Sequence, residues 1–352
     1  MLPGWTTSKR AAVPVAAIAV ALALTSCEST PADLMQHAAS TDSPAAGGHA
    51  SPTGTPRTWT APLTGLRVSG GRAAARPAVA VPLSGGQPQG LGSADVVYEE
   101  LTSPVRYIAV FQSHGDSSVG PVGQTRPADA QALSVLHPLA AYDGGTPSFI
   151  RVLDGSAVVD VGYASHPSLY HPAAQGPTVS TGQVQQAARD TAPPQLFTYQ
   201  GSGLADAPSF ASTGAWRTSV LRVTAPGQAT QVWKFGARTH GWRLVAGGPP
   251  VRVANLVVQD VPYKTVFLSR KYGLTTSSAR VVGSGSALIL SGTGTAAGSG
   301  GTAVKGTWSK MGLRSVTAYL DASNTPIGFQ RGTTWVILAP PGTRASTSGG
   351  RS

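Results

Sequence analysis

Short apolar runs, bounded by Gly and Pro, begin after residue 60 and read as strands. Pro77–Leu83 (PAVAVPL), Ala94–Glu100 (ADVVYEE) and Val105–Gln112 (VRYIAVFQ) are β-branched and apolar enough to predict one sheet. Helix signals follow. Pro127–Leu136 has Pro in its first turn, Thr146-Pro147 opens a short segment, and Ser180–Arg189 starts at a Ser or Thr cap. Residues 61–209 are therefore expected to form a mixed α/β domain. From about residue 210 the pattern turns almost wholly strand-like: TSVLRVT, ATQVWKF, GWRLVAG, VRVANLVVQDV, SALILSG, SVTAYLD and TTWVILA are separated by Gly, Pro, Asn and Ser turns. There Trp233-Lys234-Phe235 alternates with period two, Leu320–Asn324 occupies a hairpin turn, and Ser291–Gly301 (SGTGTAAGSGG) reads as a loop. These features predict a smaller, mostly antiparallel β domain over 210–342. The fold class expected is α+β.

The first residues follow another pattern. Lys9 and Arg10 precede an apolar stretch, Ala11–Leu24, shorter than the roughly 20 residues of a membrane-spanning helix. It ends at Leu24-Thr25-Ser26-Cys27, the shape of a lipobox, where small residues fit a peptidase and the following thiol takes a diacylglyceryl group. Residues 1–26 are read as a lipoprotein signal peptide, with Cys27 as the lipidated residue. Cys27 is the only cysteine. An extracytoplasmic chain then has no internal disulfide and no thiol nucleophile. Acyl chains such as palmitate contribute about 0.8 kcal/mol per buried methylene, so a multiply acylated Cys27 holds the protein on the outer face of the cell membrane. Residues 27–60, rich in Ser, Thr, Pro, Ala and Gly, are expected to be a disordered tether, and residues 343–352 a disordered tail. The tether sets one Arg against Glu28, Asp33 and Asp42, so it is not a polybasic lipid-binding segment.

Composition adds a sign. Lys plus Arg number 26 against 15 acidic residues, a net charge of +11, which makes anionic wall polymers plausible ligands. Nucleic acid is not expected as a partner, because the arginines are spread evenly and no basic helix or aromatic platform stands out. No G-x-S-x-G elbow, phosphate-binding loop or H-E-x-x-H helix occurs, and Gly283-Ser284-Gly285 lacks the third glycine of a dinucleotide fingerprint. No cofactor is therefore assigned.

Polar candidates concentrate in the first domain: Asp95, Glu99, Glu100, Arg106, Arg126, Asp129, Asp143 and His166. Glu99 with Arg106 and Arg126 would make a charged cleft, since an Arg fork suits carboxylate or phosphate. The competing reading is a plain ion pair joining adjacent strands. Asp143-Gly144-Gly145-Thr146-Pro147 marks a strand-to-helix transition, fit either to offer amides to an anion or to serve as a capped glycine turn. His166 and His171 share no helix face and have no acidic neighbour at metal-ligand spacing, so no metal site is assigned and loop histidines are the plainer reading. Trp216, Trp233, Trp242, Trp308 and Trp335 would suit sugar stacking, but within strand-like runs they are expected in the core.

A series of blocks in order resembles the YerB-like lipoproteins, a family whose two parts are catalogued as domains of unknown function. The blocks are Pro62-Leu63-Thr64-Gly65, Arg76-Pro77, Gln87-Pro88-Gln89-Gly90-Leu91, Ala94-Asp95-Val96-Val97-Tyr98-Glu99, Arg106 with AVFQS, and Gly120-Pro121-Val122 closing on Thr125-Arg126-Pro127. Val253–Gln259, Gly306–Lys310 and Gly332–Trp335 continue the series, so the resemblance covers about residues 62–342. It implies a two-domain, lipid-anchored envelope protein. Two departures stand out. An Asn usual after the first strand has no match in Val81–Gly86, and the first Arg of the family's Gly-Pro-Val-Arg block is Gly123. The function expected is a binding or scaffolding module for a cell-wall polymer or envelope protein. The alternative is an envelope hydrolase or transferase in which Glu99, Asp143 or His166 does acid–base work and Arg126 stabilises negative charge.

Overall fold

Strands whose residues are apolar on both sides of the pleat must be covered on both faces. The computed structural model, which describes residues 58–85, 87–187, 191–200, 214–292 and 300–349, is built around such strands. Thr334–Ala339 (TWVILA) is buried at every position and lies near the middle of an 11-stranded sheet. It pairs in parallel with Val96–Glu100 on one side and with Asn255–Asp260 on the other. Beyond Val96–Glu100 follow Arg106–Phe111, Val79–Leu83, Leu139–Ala140 and Val159–Asp160. Beyond Asn255–Asp260 follow Gly283–Ser291, Gly301–Lys310 and Trp216–Thr218, with Ala318–Leu320 also paired to Gly301–Lys310.

The three strands expected in the first half therefore form, within one or two residues of their predicted ends, and they pair with one another. The strands of the second half continue the same sheet across the expected boundary near residue 210. Among the described residues the protein is mostly β, with 41% in strands and 13% in helices.

Alternation sorts the side chains into two layers. Val97, Tyr107, Ala109, Leu256, Trp335 and Ile337 face a second sheet of five antiparallel strands, Arg252–Val253, Gly241–Ala246, Gln231–Gly236, Val220–Thr224 and Arg344–Ser348, and meet Leu221, Trp233, Trp242 and Leu244 there. Val96, Ile108, Val110, Val257, Val336 and Leu338 face the other way, onto the helix Pro127–Leu133, the short 3₁₀ turn Ser134–Leu136 and the aromatics Phe197, Tyr199, Trp308 and Phe329. Trp233, Trp242, Trp308 and Trp335 are fully buried, as core tryptophans. Trp233 and Tyr107 both stack edge-on against Trp335, and such contacts contribute about 1 kcal/mol beyond burial.

Several expectations need correction. The segment 343–352 is not a disordered tail throughout: Arg344–Ser348 is an edge strand paired with Val220–Thr224. Its Ser, Thr and Ala side chains offer little apolar surface, but backbone pairing to an existing edge does not require it. The tether's predicted end also enters the fold, since Trp59–Thr60 pairs with Arg67–Val68. Gly301–Lys310 and the hairpin Tyr263–Ser269 with Leu274–Ala279 are strands that the hydrophobic pattern does not predict. The signal peptide, Cys27, the rest of the tether, residues 201–213 and most of the Ser291–Gly301 loop lie outside the described residues.

Candidate functional site

Glu99 and Glu100 are neighbours on one strand, so their side chains leave on opposite faces. Glu99 turns into the space between the two sheets. It is fully buried, and its carboxylate accepts hydrogen bonds from Gln231 Nε2 (2.5 Å) and Trp335 Nε1 (2.7 Å). Burial pushes its pKa up to about 7, against the opposing pull of those two donors.

Glu100 turns to the helix side, where it meets Arg106 from the paired strand. Arg106 is 4% exposed and donates to Glu100 Oε2 (2.9 Å), Asp129 Oδ1 (2.7 Å), Asp129 Oδ2 (2.6 Å) and the carbonyl of Gln124 (3.0 Å). The remaining carboxylate capacity is also used. Asp129 Oδ2 accepts from Thr125 Oγ1 (3.1 Å) and the amide of Arg126 (3.0 Å), and Glu100 Oε1 accepts from the amide of Ala279 (2.9 Å). This cluster joins two strands, the helix Pro127–Leu133 and the hairpin end Ser278–Ala279. The ion-pair reading of Arg106 thus holds, with Glu100 and Asp129 as its partners and not Glu99.

Arg126 is different. It immediately precedes the helix, is half-buried, and its Nη1 is buried without a hydrogen-bond partner. Burial and the adjacent Arg106 both hold its pKa below that of an ordinary arginine. With Arg106, Asp143, Ser84, Gly123 and Gln124 it lines a cleft of about 350 Å³. The cleft opens where Val79–Leu83 ends, where Arg106–Phe111 begins, and three residues after Leu139–Ala140 ends. That is the carboxyl end of the parallel strands, the usual place for ligands on sheets of this kind. Gly123 holds the cleft floor, its amide donating to the carbonyl of Pro82 (2.7 Å) and its carbonyl accepting from the amide of Asp143 (2.9 Å).

The other expected residues lie elsewhere. Asp95 is fully buried just before the amino end of Val96–Glu100, where it accepts from the amides of Gln112 and Ser113 (2.6 Å each) and from Ser113 Oγ. His114 Nδ1 lies 3.7 Å from Asp95 Oδ1, and that contact raises the histidine pKa. His166 stands before the 3₁₀ turn Pro167–Leu169 and contacts Ser165 Oγ at 3.0 Å. The structure therefore brings Arg106, Arg126 and Asp143 together at one cleft, while Glu99, Asp95 and His166 each lie outside it. Sequence reasoning misses Lys310. It is 3% exposed, donates to the carbonyl of Ser315, and burial lowers its pKa to about 8.

Two family models match this chain: the N-terminal domain of the proteins of unknown function DUF3048 over residues 63–199, and the C-terminal domain of the same proteins over residues 228–336. The chain belongs to the DUF3048 family. Among solved structures it is similar to the YerB protein from Bacillus subtilis, with 18% identity and a TM-score of 0.63, over 82% of this chain and 99% of that one. At that identity the likeness establishes a shared fold. No curated protein matches the chain. The two DUF3048 models meet in space where Thr334–Val336 pairs in parallel with Val96–Tyr98. Arg106, Arg126 and Asp143 all fall within the N-terminal model, and the hairpin that supplies Ser278 and Ala279 falls within the C-terminal one.

Proposed function

We propose that this protein is an extracytoplasmic binding module, lipid-anchored through Cys27, whose cleft takes an anionic group of an envelope component. The observation that carries the reading is the free Nη1 of Arg126, a buried cationic donor beside a cleft of about 350 Å³. A buried donor without a partner costs about 1–3 kcal/mol, and a small turn of the half-buried side chain toward the cleft would let a phosphate or carboxylate oxygen relieve it. Arg106 does not compete for that anion, because its own charge is matched by Glu100 and Asp129. Asp143, on the same wall, favours a ligand that also carries hydroxyl or amine groups. Phosphate-bearing wall polymers fit this combination.

The test is stabilisation by ligand. Inorganic phosphate and glycerol 3-phosphate are titrated against wild type and Arg126→Gln, with unfolding followed by denaturant. At a hundredfold excess over Kd, wild type gains about 2.7 kcal/mol and the variant none. Equal response of the two proteins, or none from either, overturns the cleft as the anion site. Metabolic palmitate labelling that persists in Cys27→Ala would overturn the anchor.

A further inference from the structure

Six of the ten large apolar side chains that stand exposed among the described residues sit on two protrusions. Three belong to the hairpin: Phe267 (43% exposed), Tyr272 (69%) and Leu274 (55%), close to its tip. Three belong to the turn after Gly301–Lys310: Met311 (89%), Leu313 (42%) and Val316 (38%). Gly273, at φ +65°, closes the hairpin, and Lys310 reaches inward to hold the carbonyl of Ser315. Apolar side chains held outward on ordered turns signal a contact surface.

The charges there have one sign. Lys264, Arg270, Lys271, Arg280 and Arg314 are all exposed, and residues 261–282 and 311–317 contain no Asp or Glu. Two of the cations lie on the aromatic rings: the Arg270 guanidinium is 4.9 Å from the Phe267 ring centre, and Lys271 Nζ is 5.1 Å from that of Tyr272. Aromatic rings with cations beside them, next to an aliphatic residue, are the composition of side chains that settle at the headgroup level of a bilayer.

Both protrusions leave the same end of the large sheet. Asn255–Asp260 runs into the hairpin, and the pairings Gln259↔Ala287 and Gly283↔Lys310 put Lys310 at that same end. The hairpin then reaches back toward the cleft, where Thr146 Oγ1 donates to the carbonyl of Leu268 (2.9 Å) three residues after Asp143.

We propose that the hairpin tip around Phe267, Arg270, Lys271, Tyr272 and Leu274 docks the folded protein on an anionic lipid surface, with the Met311–Val316 turn as a second point of contact. A hydrophilic polyanion would satisfy the cations and leave six apolar side chains in water; a bilayer takes both. This contact is separate from the acyl anchor and does not depend on what the cleft binds.

The experiment uses residues 28–352, the chain without Cys27 and without the apolar Ala11–Leu24 segment that would itself enter a bilayer, with vesicles of phosphatidylglycerol and phosphatidylcholine or of phosphatidylcholine alone. The anionic vesicles are expected to slow tryptic cleavage after Arg270 and Lys271, while cleavage after Arg238, in the exposed turn before Gly241–Ala246, keeps its rate. Each cation contributes roughly a fivefold factor to membrane affinity, so Arg270→Gln with Lys271→Gln should lower vesicle binding about twenty-five-fold. Phe267→Ser with Tyr272→Ser should also weaken it, with unchanged thermal unfolding. Equal protection by neutral vesicles, equal protection by soluble poly(glycerol phosphate), or full vesicle binding by both double variants would overturn the proposal. Phosphate binding in the cleft reads out independently of all three.

Discussion

Glu99 ties the stability of the protein to pH. Its carboxyl is fully buried, and its pKa is raised from 4.5 to about 7 by loss of solvation. The folded protein therefore binds this proton more tightly than the unfolded chain. The stabilising contribution is complete below the unfolded value of 4.5 and is lost as pH rises through about 7. At roughly 1.4 kcal/mol for each tenfold change in proton affinity, the contribution comes to about 3 kcal/mol. Replacement by glutamine removes the titration and keeps the shape, and at neutral pH and above it also removes a buried charge. The assay is urea unfolding of wild type and Glu99→Gln at a series of pH values. The stability of the variant relative to wild type is expected to rise by about 3 kcal/mol between pH 4.5 and about 8, then to level off. A flat difference across that range would refute Glu99 as a buried titrating group between the sheets.

Two further outcomes follow from the cleft and its support. Asp129→Asn leaves the buried Arg106 short of a carboxylate that now accepts two of its bonds, and should cost about 3 kcal/mol by denaturant unfolding. A cost below about 1 kcal/mol would mean the pair behaves as a solvated one. Gly123→Arg adds a third arginine to the cleft lining, beside the uncompensated Arg126, where a Cβ would lie 3.3 Å from the Leu83 carbonyl carbon, and should tighten phosphate binding about tenfold in calorimetric titration. Unchanged affinity would put the anion elsewhere.

Strand identity is legible in the first half because PAVAVPL, ADVVYEE and VRYIAVFQ are short, apolar and bounded by Gly or Pro. Helix starts are legible from Pro127, Pro147 and Ser180. What periodicity does not carry is the partner of each strand. WVILAP reads as a buried strand, but nothing local says that it slots between strands about 80 and 240 residues earlier in the chain. Gly301–Lys310 is hidden by the glycines ahead of it and by polar residues at alternate positions. The hairpin 263–279 is hidden for a related reason, since its exposed Thr and Ser positions dilute the apolar signal. Residue type marks Glu99, Arg106 and Arg126 as chemically apt, yet the assignment of Glu99 to the cleft fails on parity. Adjacent strand residues face opposite ways, and the cross-strand register sets Arg106 opposite Glu100.

That parity explains how the protein keeps one arginine available. A buried guanidinium normally takes a carboxylate, and Arg106 has two in direct contact. Arg106 binds both, Glu100 across the strand pair and Asp129 from the helix, and fills its remaining fork on the carbonyl of Gln124. Glu99 is turned away into the other layer and held by Trp335 and Gln231, while Asp143 lines the cleft without bonding to either arginine. Arg126 is then left with positive charge and a free donor at the cleft, at a position whose main-chain geometry is fixed by its own amide on Asp129. The same carboxylate thus neutralises one arginine and positions the other. A design serving stability alone would have paired them both.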